Sequence, residues 1–278
     1  MTAASDPSRP PAPAPTFAPV EQIAGRLDAG VLFLCDHASA ALPPGCGTLG
    51  LPPAAFSRHI AYDIGAADMT RRLAAAFGAP AVLSTFSRLL IDPNRGADDP
   101  TLVMRISDGS LIPGNARIDA AGIERRRQLY WEPYRAAVGA TIEAMMAAGP
   151  LPAVVSVHTF TPSWKATPRP WEIGILWDSD GRLAEPLIAA LAATGLQIGD
   201  NEPYDGALEG DTLDMEVTRR GLAGVLVETR QDLVATQAQA WAWADRLAAA
   251  LAPLLVRPEL HVAAFIPSRT GRHSSAGE

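Results

Sequence analysis

Three short apolar runs in this chain each lead into a side chain that can bind a metal or move a proton. Val31 to Cys35 leads to Asp36-His37, Val154 to Val157 leads to His158, and Gly224 to Val227 leads to Glu228. Open α/β sheets bind ligands beyond the carboxyl ends of their strands, so three such ends can share one rim. Histidine is the commonest protein metal ligand near neutral pH. A catalytic zinc site takes three ligands from His, Asp and Glu and keeps a fourth position open. Asp63, at the start of the next helical segment, completes a set with His37 and His158. A single His at a strand end is more often structural, and an acid at a helix start is a common N-cap. His59 is a rival ligand four residues before Asp63. The pattern as a whole points to a metal-dependent hydrolase.

Glu228 has a different use. A carboxylate at the end of an apolar strand is poorly solvated, which raises its pKa toward that of a general base. The competing reading is an ion pair with Arg230, two residues on and on the same face of an extended strand. The segment Ser87 to Gly96, SRLLIDPNRG, gathers further polar groups after a strand. Arg88 and Arg95 suit bidentate contact with a substrate carboxylate, while Asp92 and Asn94 can brace the loop by turn hydrogen bonds. A plain turn with solvated arginines is the alternative.

These residues need a scaffold. Apolar runs at 31–35, 81–86, 154–158, 172–177 and 224–228 read as strands. Between them a helix begins near Ala61 or Asp63 and stops at Gly78, and a long helix starts at Asp119 or Ala120, with a bend expected at Pro133. Leu183 to Thr194, Asp214 to Arg220 and Thr236 to Leu255 complete the helical segments, and Glu21 to Gly30 reads as a short helix or turn. Strands alternating with helices predict an α/β domain with a largely parallel sheet. The expected organisation is a Pro/Ala-rich disordered tail over 1–20, one catalytic domain over 21–260 and a C-terminal extension over 261–278.

Composition narrows the partners. The chain has 278 residues, 48% of them hydrophobic, enough for a large core. Its net charge of −7 argues against binding nucleic acid by phosphate neutralisation. Lys165 is the only lysine, a bias toward arginine that base composition of the genome explains most simply. Cys35 and Cys46 make neither a disulfide framework nor a four-cysteine zinc site. No apolar stretch of about 20 residues exists, so no membrane span is expected. The N-terminal segment lacks the features of a secretory signal, which makes the cytoplasm the expected location.

Five segments in series carry a resemblance: DHAS at 36–39, HIAYDIGA at 59–66, SRLLIDPNR at 87–95, HTFTP at 158–162 and ETR at 228–230. Together they resemble the N-formylglutamate amidohydrolase family from about Val31 to Leu255. That likeness implies a three-layer α/β/α sandwich with a largely parallel mixed sheet, phosphorylase/hydrolase-like and of the zinc exopeptidase type. It implies a divalent metal, zinc by expectation, on His37, Asp63 and His158, with Glu228 as general base. Asn94 and Arg95 resemble the carboxylate-binding pair of carboxypeptidase-like enzymes. Arg88, Arg230 and Asn201 join them as expected substrate contacts, Asn201 and Tyr204 lying in a segment, DNEPYDG, that equally suits a plain turn. Carboxypeptidases and aspartoacylases place their acidic ligand three residues after the first His, where this chain has Ala40. The arrangement of peptidoglycan amidases, with the acid at the next helix, suits Asp63 better. The implied substrate is a small N-acyl amino acid, N-formyl-L-glutamate first, with the oligomeric state left open. A peptidoglycan or peptide amidase, an aspartoacylase-like deacylase and a non-catalytic binding protein of the same fold are the alternatives.

Overall fold

A computed structural model describes residues 17–271. The expected tail over 1–16 and the last residues, 272–278, lie outside this range. Among the described residues a seven-stranded sheet forms the middle layer. Its strands are β1 (Val20–Ile23), β2 (Val31–Cys35), β3 (Ala81–Ser84), β4 (Ala153–Phe160), β5 (Ile173–Leu176), β6 (Ile198–Asp200) and β7 (Gly224–Arg230). Their spatial order is β1-β3-β2-β4-β7-β5-β6. β3, β2, β4 and β7 run parallel, β1 is antiparallel to β3, and β5 is antiparallel to β7 but parallel to β6. The sheet is therefore mixed and mostly parallel, as expected. Val20–Ile23, read from sequence as tail and then helix or turn, is instead the antiparallel edge strand.

Both faces of the sheet are covered, which is why its central strands are apolar throughout. On one face Val31, Phe33, Val155, Val157, Val225 and Val227 pack against α1 (Ala66–Phe77), α4 (Gly181–Ala192) and α6 (Gln237–Leu251). On the other, Leu32, Leu34, Val154 and Leu226 meet Tyr134, Val138, Ile142 and Met145 of α3 (Glu132–Ala148). This is the three-layer α/β/α arrangement. Alternation along each strand then decides which face a polar residue joins. Asp36, Ser156, His158 and Glu228 continue the α3 face, while Cys35 packs in the core on the other.

Local signals set the helix limits. Gly78 ends α1 with a left-handed φ of 57°, and its N–H reaches back to Ala74 and Ala75 carbonyls. Asp119 caps α2 (Ala120–Arg126) through Gly122 N–H, and a Thr236–Gln239 capping box opens α6. Near Pro133, where a bend was expected, the chain forms a π turn over Arg127–Trp131, just upstream. Pro133 has no N–H to offer the Leu129 carbonyl, and Glu132 N–H bonds to Arg127 instead. Asp214 to Arg220 divides into α5 (Thr212–Glu216) and a 3₁₀ turn over Thr218–Arg220. No helix among the described residues is long and apolar enough to cross a membrane.

Gly174 in β5 marks a close approach. A Cβ there would overlap the Glu202 carbonyl oxygen, and Gly174 pairs in register with Glu228. Gly174→Ala is expected to lower stability by about 1–3 kcal/mol through overpacking. An unchanged urea midpoint would contradict this packing.

Candidate metal centre and active site

β2, β4 and β7 lie side by side in the sheet, with Leu34 opposite Ser156 and Glu228 opposite His158. That register, together with the shared face, brings Asp36, Ser156, His158 and Glu228 next to one another. His158 and Glu228 sit inside their strands, two residues short of each end, rather than just beyond it. His37 follows β2 in a turn. Asp63 is joined to it through the backbone, its N–H donating to the His37 carbonyl at 3.0 Å.

Asp63 does not start the helix. Gly65 is the N-cap of α1, with φ of 83° and no side-chain cap, so the capping role considered for Asp63 is excluded. Its carboxylate turns into the site instead. Asp63 Oδ2 lies 2.9 Å from His158 Nδ1 and 3.3 Å from His37 Nδ1. The imidazoles meet edge to face with centroids 4.9 Å apart. His37, Asp63 and His158, all buried, can each present one ligand atom within 4.8 Å of the others. His59 lines the same cavity but leans toward Asp108, at 3.8 Å, and is not part of this cluster.

The far nitrogens of the two imidazoles are also held by carboxylates. His37 Nε2 lies 2.7 Å from Asp92 Oδ1, and His158 Nε2 lies 2.8 Å from Asp36 Oδ2. Such outer carboxylates fix ring orientation and leave the other nitrogen facing inward, the usual support for a histidine metal ligand. Asp92 also accepts the Asn94 N–H, the turn bond expected of it. Asp36 was not expected here. Its Oδ1 accepts from Tyr134 and Thr212 hydroxyls at 2.9 and 2.7 Å, and its Oδ2 from Ser156 at 2.8 Å. The adjacent Asp36-His37 pair was the available sequence signal. Tyr134, Ser156 and Thr212 gave none, because they come together only through the tertiary fold.

Burial and pairing set the protonation of these groups. Burial works against ionisation of Asp36, Asp63 and Asp92, yet nearby cations and donors hold all three below the usual carboxylate range. Burial also opposes charge on His158, but the bonds to Asp36 and Asp63 prevail and raise it to about 10. Glu228 moves the other way. Burial lifts it to about 7, against the pull of the His158 charge. Its Oε2 is buried without a hydrogen-bond partner. The ion pair with Arg230 is absent, since Arg230 bonds to Asp232 and the Trp171 carbonyl.

A cavity of about 440 Å³ opens over this cluster, lined by His37, Asp63, His158 and Glu228 and by Arg88, Asn94 and Arg95. Arg88 is committed to the centre itself, its guanidinium reaching Asp92 at 2.9 Å and Asp63 at 3.4 Å. Arg95 is less engaged, with one bond to the Asn94 carbonyl and Asp99 at 4.0 Å. Asn94 ties the loop to α5 by accepting the Thr212 N–H. Two expected substrate contacts stand elsewhere. Arg230 turns away to Asp232, and Asn201 spends its side-chain oxygen on the N–H groups of Trp177 and Gly206. Asn201 thereby shapes the loop that puts Tyr204, Asp205 and Gly206 on the cavity wall. Arg269, in the expected C-terminal extension, fixes that loop by bonding both Asp205 oxygens and the carbonyls of Trp177 and Asp178.

A buried His-Asp-His cluster, an unpaired carboxylate and a small cavity thus lie together on one face of an α/β/α sandwich. Comparison with known proteins narrows the class. Residues 29–235 match the N-formylglutamate amidohydrolase family model, and the chain belongs to that family, which makes it an amidohydrolase. It is 34% identical to a gene product of Agrobacterium tumefaciens of known structure, over 86% of this chain and 96% of that one, with a TM-score of 0.81. An N-formylglutamate amidohydrolase from Ralstonia eutropha JMP134 shares the fold at 19% identity and a TM-score of 0.64, over 88% of this chain and 100% of that one. No curated protein matches the chain.

The buried carboxylates predict an acid limit to stability. With folded pKa values depressed below the ordinary 3.8, their contribution is complete above that value and lost as pH falls below it. Tyr134→Phe removes one donor to Asp36 and is expected to cost about 1.5–3 kcal/mol. Urea titrations at neutral pH and near pH 3 check both effects; equal midpoints at the two pH values would contradict the first.

Proposed function

We propose that this amidohydrolase is divalent-metal dependent and cleaves small N-acyl amino acids, with N-formyl-L-glutamate as its substrate. The observation that carries the reading is the placement of unpaired Glu228 beside three candidate ligands, His37, Asp63 and His158, in one cavity. The donor set fits a divalent ion: two imidazoles anchored from behind and one carboxylate, the His/Asp mixture that zinc accepts. When bound, such an ion supplies Lewis acidity, polarising an acyl oxygen and making a water molecule more acidic.

The chain's own residues then divide the work. Glu228, in its ionised form, takes a proton from the attacking water as the new carbon–oxygen bond forms at the acyl carbon. It returns that proton to the amide nitrogen as the carbon–nitrogen bond breaks, giving formate and glutamate. Asp36 and Asp92 keep the two imidazoles oriented. Arg88 holds Asp63 and Asp92 in place, so the task of binding a substrate carboxylate falls to Arg95, with Asn94 beside it. A cavity of about 440 Å³ falls in the size range of small-molecule sites, which favours an amino-acid derivative over a polymer.

Glu228→Gln is expected to lower kcat by about 10³-fold for formate release, and full activity in that variant would sink the mechanism. Arg95→Ala is expected to raise KM about tenfold or more with a smaller change in kcat. Activity should fall as pH drops and Glu228, whose pKa is raised to about 7, takes up a proton; a cation in the site moves that limb lower. Chelator treatment should abolish turnover and added divalent ion restore it. Indifference to chelator would count against metal dependence.

A further inference from the structure

Arg169 stands over the cavity wall with a charge that no carboxylate neutralises. Its guanidinium lies 5.0 Å from the Tyr204 ring centroid and 5.8 Å from those of Phe160 and Trp164. One nitrogen, Nη1, donates to Tyr204 Oη at 3.1 Å and to the Thr161 hydroxyl at 2.9 Å. Other arginines around the rim are paired: Arg88 with Asp92, Arg230 with Asp232 and Arg269 with Asp205. Arg169 forms no ion pair with any described residue. Its segment, 161–170, contains Lys165 and no acidic residue. Asp205, the nearby acid on the wall, is neutralised by Arg269.

Tyr204 connects this cation to the cavity, which Tyr204, Phe160 and Thr161 all line. Burial raises the Tyr204 pKa, so its phenol stays protonated. The phenol oxygen accepts from Arg169, which leaves its own O–H to donate. Three aromatic faces and Thr161 restrict the guanidinium, so an anion arriving there meets a cation that needs little further ordering. Arg95 lies on a different wall segment, after β3. Arg95 lines the cavity directly, Arg88 lines it but is paired with Asp92 and Asp63, and Arg169 stands behind Tyr204 and Thr161 on another side. Two cations free of a close carboxylate thus flank the cavity at separate places, which is what a substrate with two carboxylates requires.

We infer that Arg169, with the Tyr204 phenol, binds the side-chain carboxylate of an N-acyl dicarboxylic amino acid, while Arg95 binds the other carboxylate. Arg169 is then the residue that selects an acidic side chain over its neutral amide. This rests on the N-acyl amino acid activity proposed above, and neither the hydrolytic step nor the metal ligands depend on it.

The test compares N-formyl-L-glutamate with N-formyl-L-glutamine in the wild type and in Arg169→Gln and Tyr204→Phe. Arg169→Gln is expected to lower kcat/KM for the glutamate substrate about 30-fold, mainly through KM, and to leave the glutamine substrate within about twofold. Tyr204→Phe should do the same more weakly. Equal losses on both substrates, or no loss on either, overturn the assignment. Binding of glutarate and butyrate, measured by calorimetry, separates this inference from the proposed function. Wild type should bind glutarate at least about tenfold more tightly than butyrate, and Arg169→Gln should not. If wild type hydrolyses neither formyl substrate, the formylglutamate reading fails, and the glutarate comparison alone decides the role of Arg169. Equal binding of the two acids by wild type overturns that role.

Discussion

Three carboxylates buried around two imidazoles are the constraint on which this structure turns. Asp36, Asp63 and Asp92 lie in a part of the molecule where ions are poorly solvated. Burying a charge is costly unless it is paired and hydrogen-bonded. The fold satisfies that condition by giving each carboxylate several donors: hydroxyls and His158 for Asp36, both imidazoles and Arg88 for Asp63, and His37 and Arg88 for Asp92. One carboxylate, that of Glu228, lacks a comparable set, and its Oε2 is buried without a hydrogen-bond partner.

The rest of the architecture serves this imbalance. Parallel pairing of β2, β4 and β7 places three chain segments far apart in sequence within side-chain reach of one another. Helix α3 covers the sheet face that carries the site, and from it Tyr134 reaches Asp36. Thr212, the first residue of α5, is joined to Asp36 through its hydroxyl and to Asn94 through its N–H. Support of His158 through Asp36 and placement of Asn94 on the cavity wall therefore meet at one residue. Arg269, beyond the residues that match the family, extends this scaffold to the Tyr204 loop.

Much of this was legible from sequence because apolar strands ending in His or Glu carry a strong local pattern. His37, His158 and Glu228 follow from it, Asp63 followed from its place after the first loop, and the five-segment resemblance added the three-layer α/β/α architecture. The placement of Asp63 itself was misread: it looked like a helix start, but Gly65 takes that position and frees the carboxylate. Arg88 and Arg95 look alike in sequence, and only the pairing of Arg88 with Asp63 and Asp92 separates them. Arg230 and Asn201 were expected at the substrate from the family-like segments that contain them, yet local partners hold both elsewhere. Asp36, Tyr134 and Thr212 form one network from residues 36, 134 and 212, a separation that no local pattern reveals. Arg169 was hidden too, since only the fold shows that it bonds to Tyr204 and Thr161 and to no described carboxylate.

The central claim is that His37, Asp63 and His158 form one metal site. Elemental mass spectrometry of the purified protein, alongside a folded His158→Ala variant, tests it most directly. The account predicts about one divalent ion per chain in the wild type and a large loss in the variant. Wild-type protein that turns over substrate while holding far less than one ion per chain would contradict it.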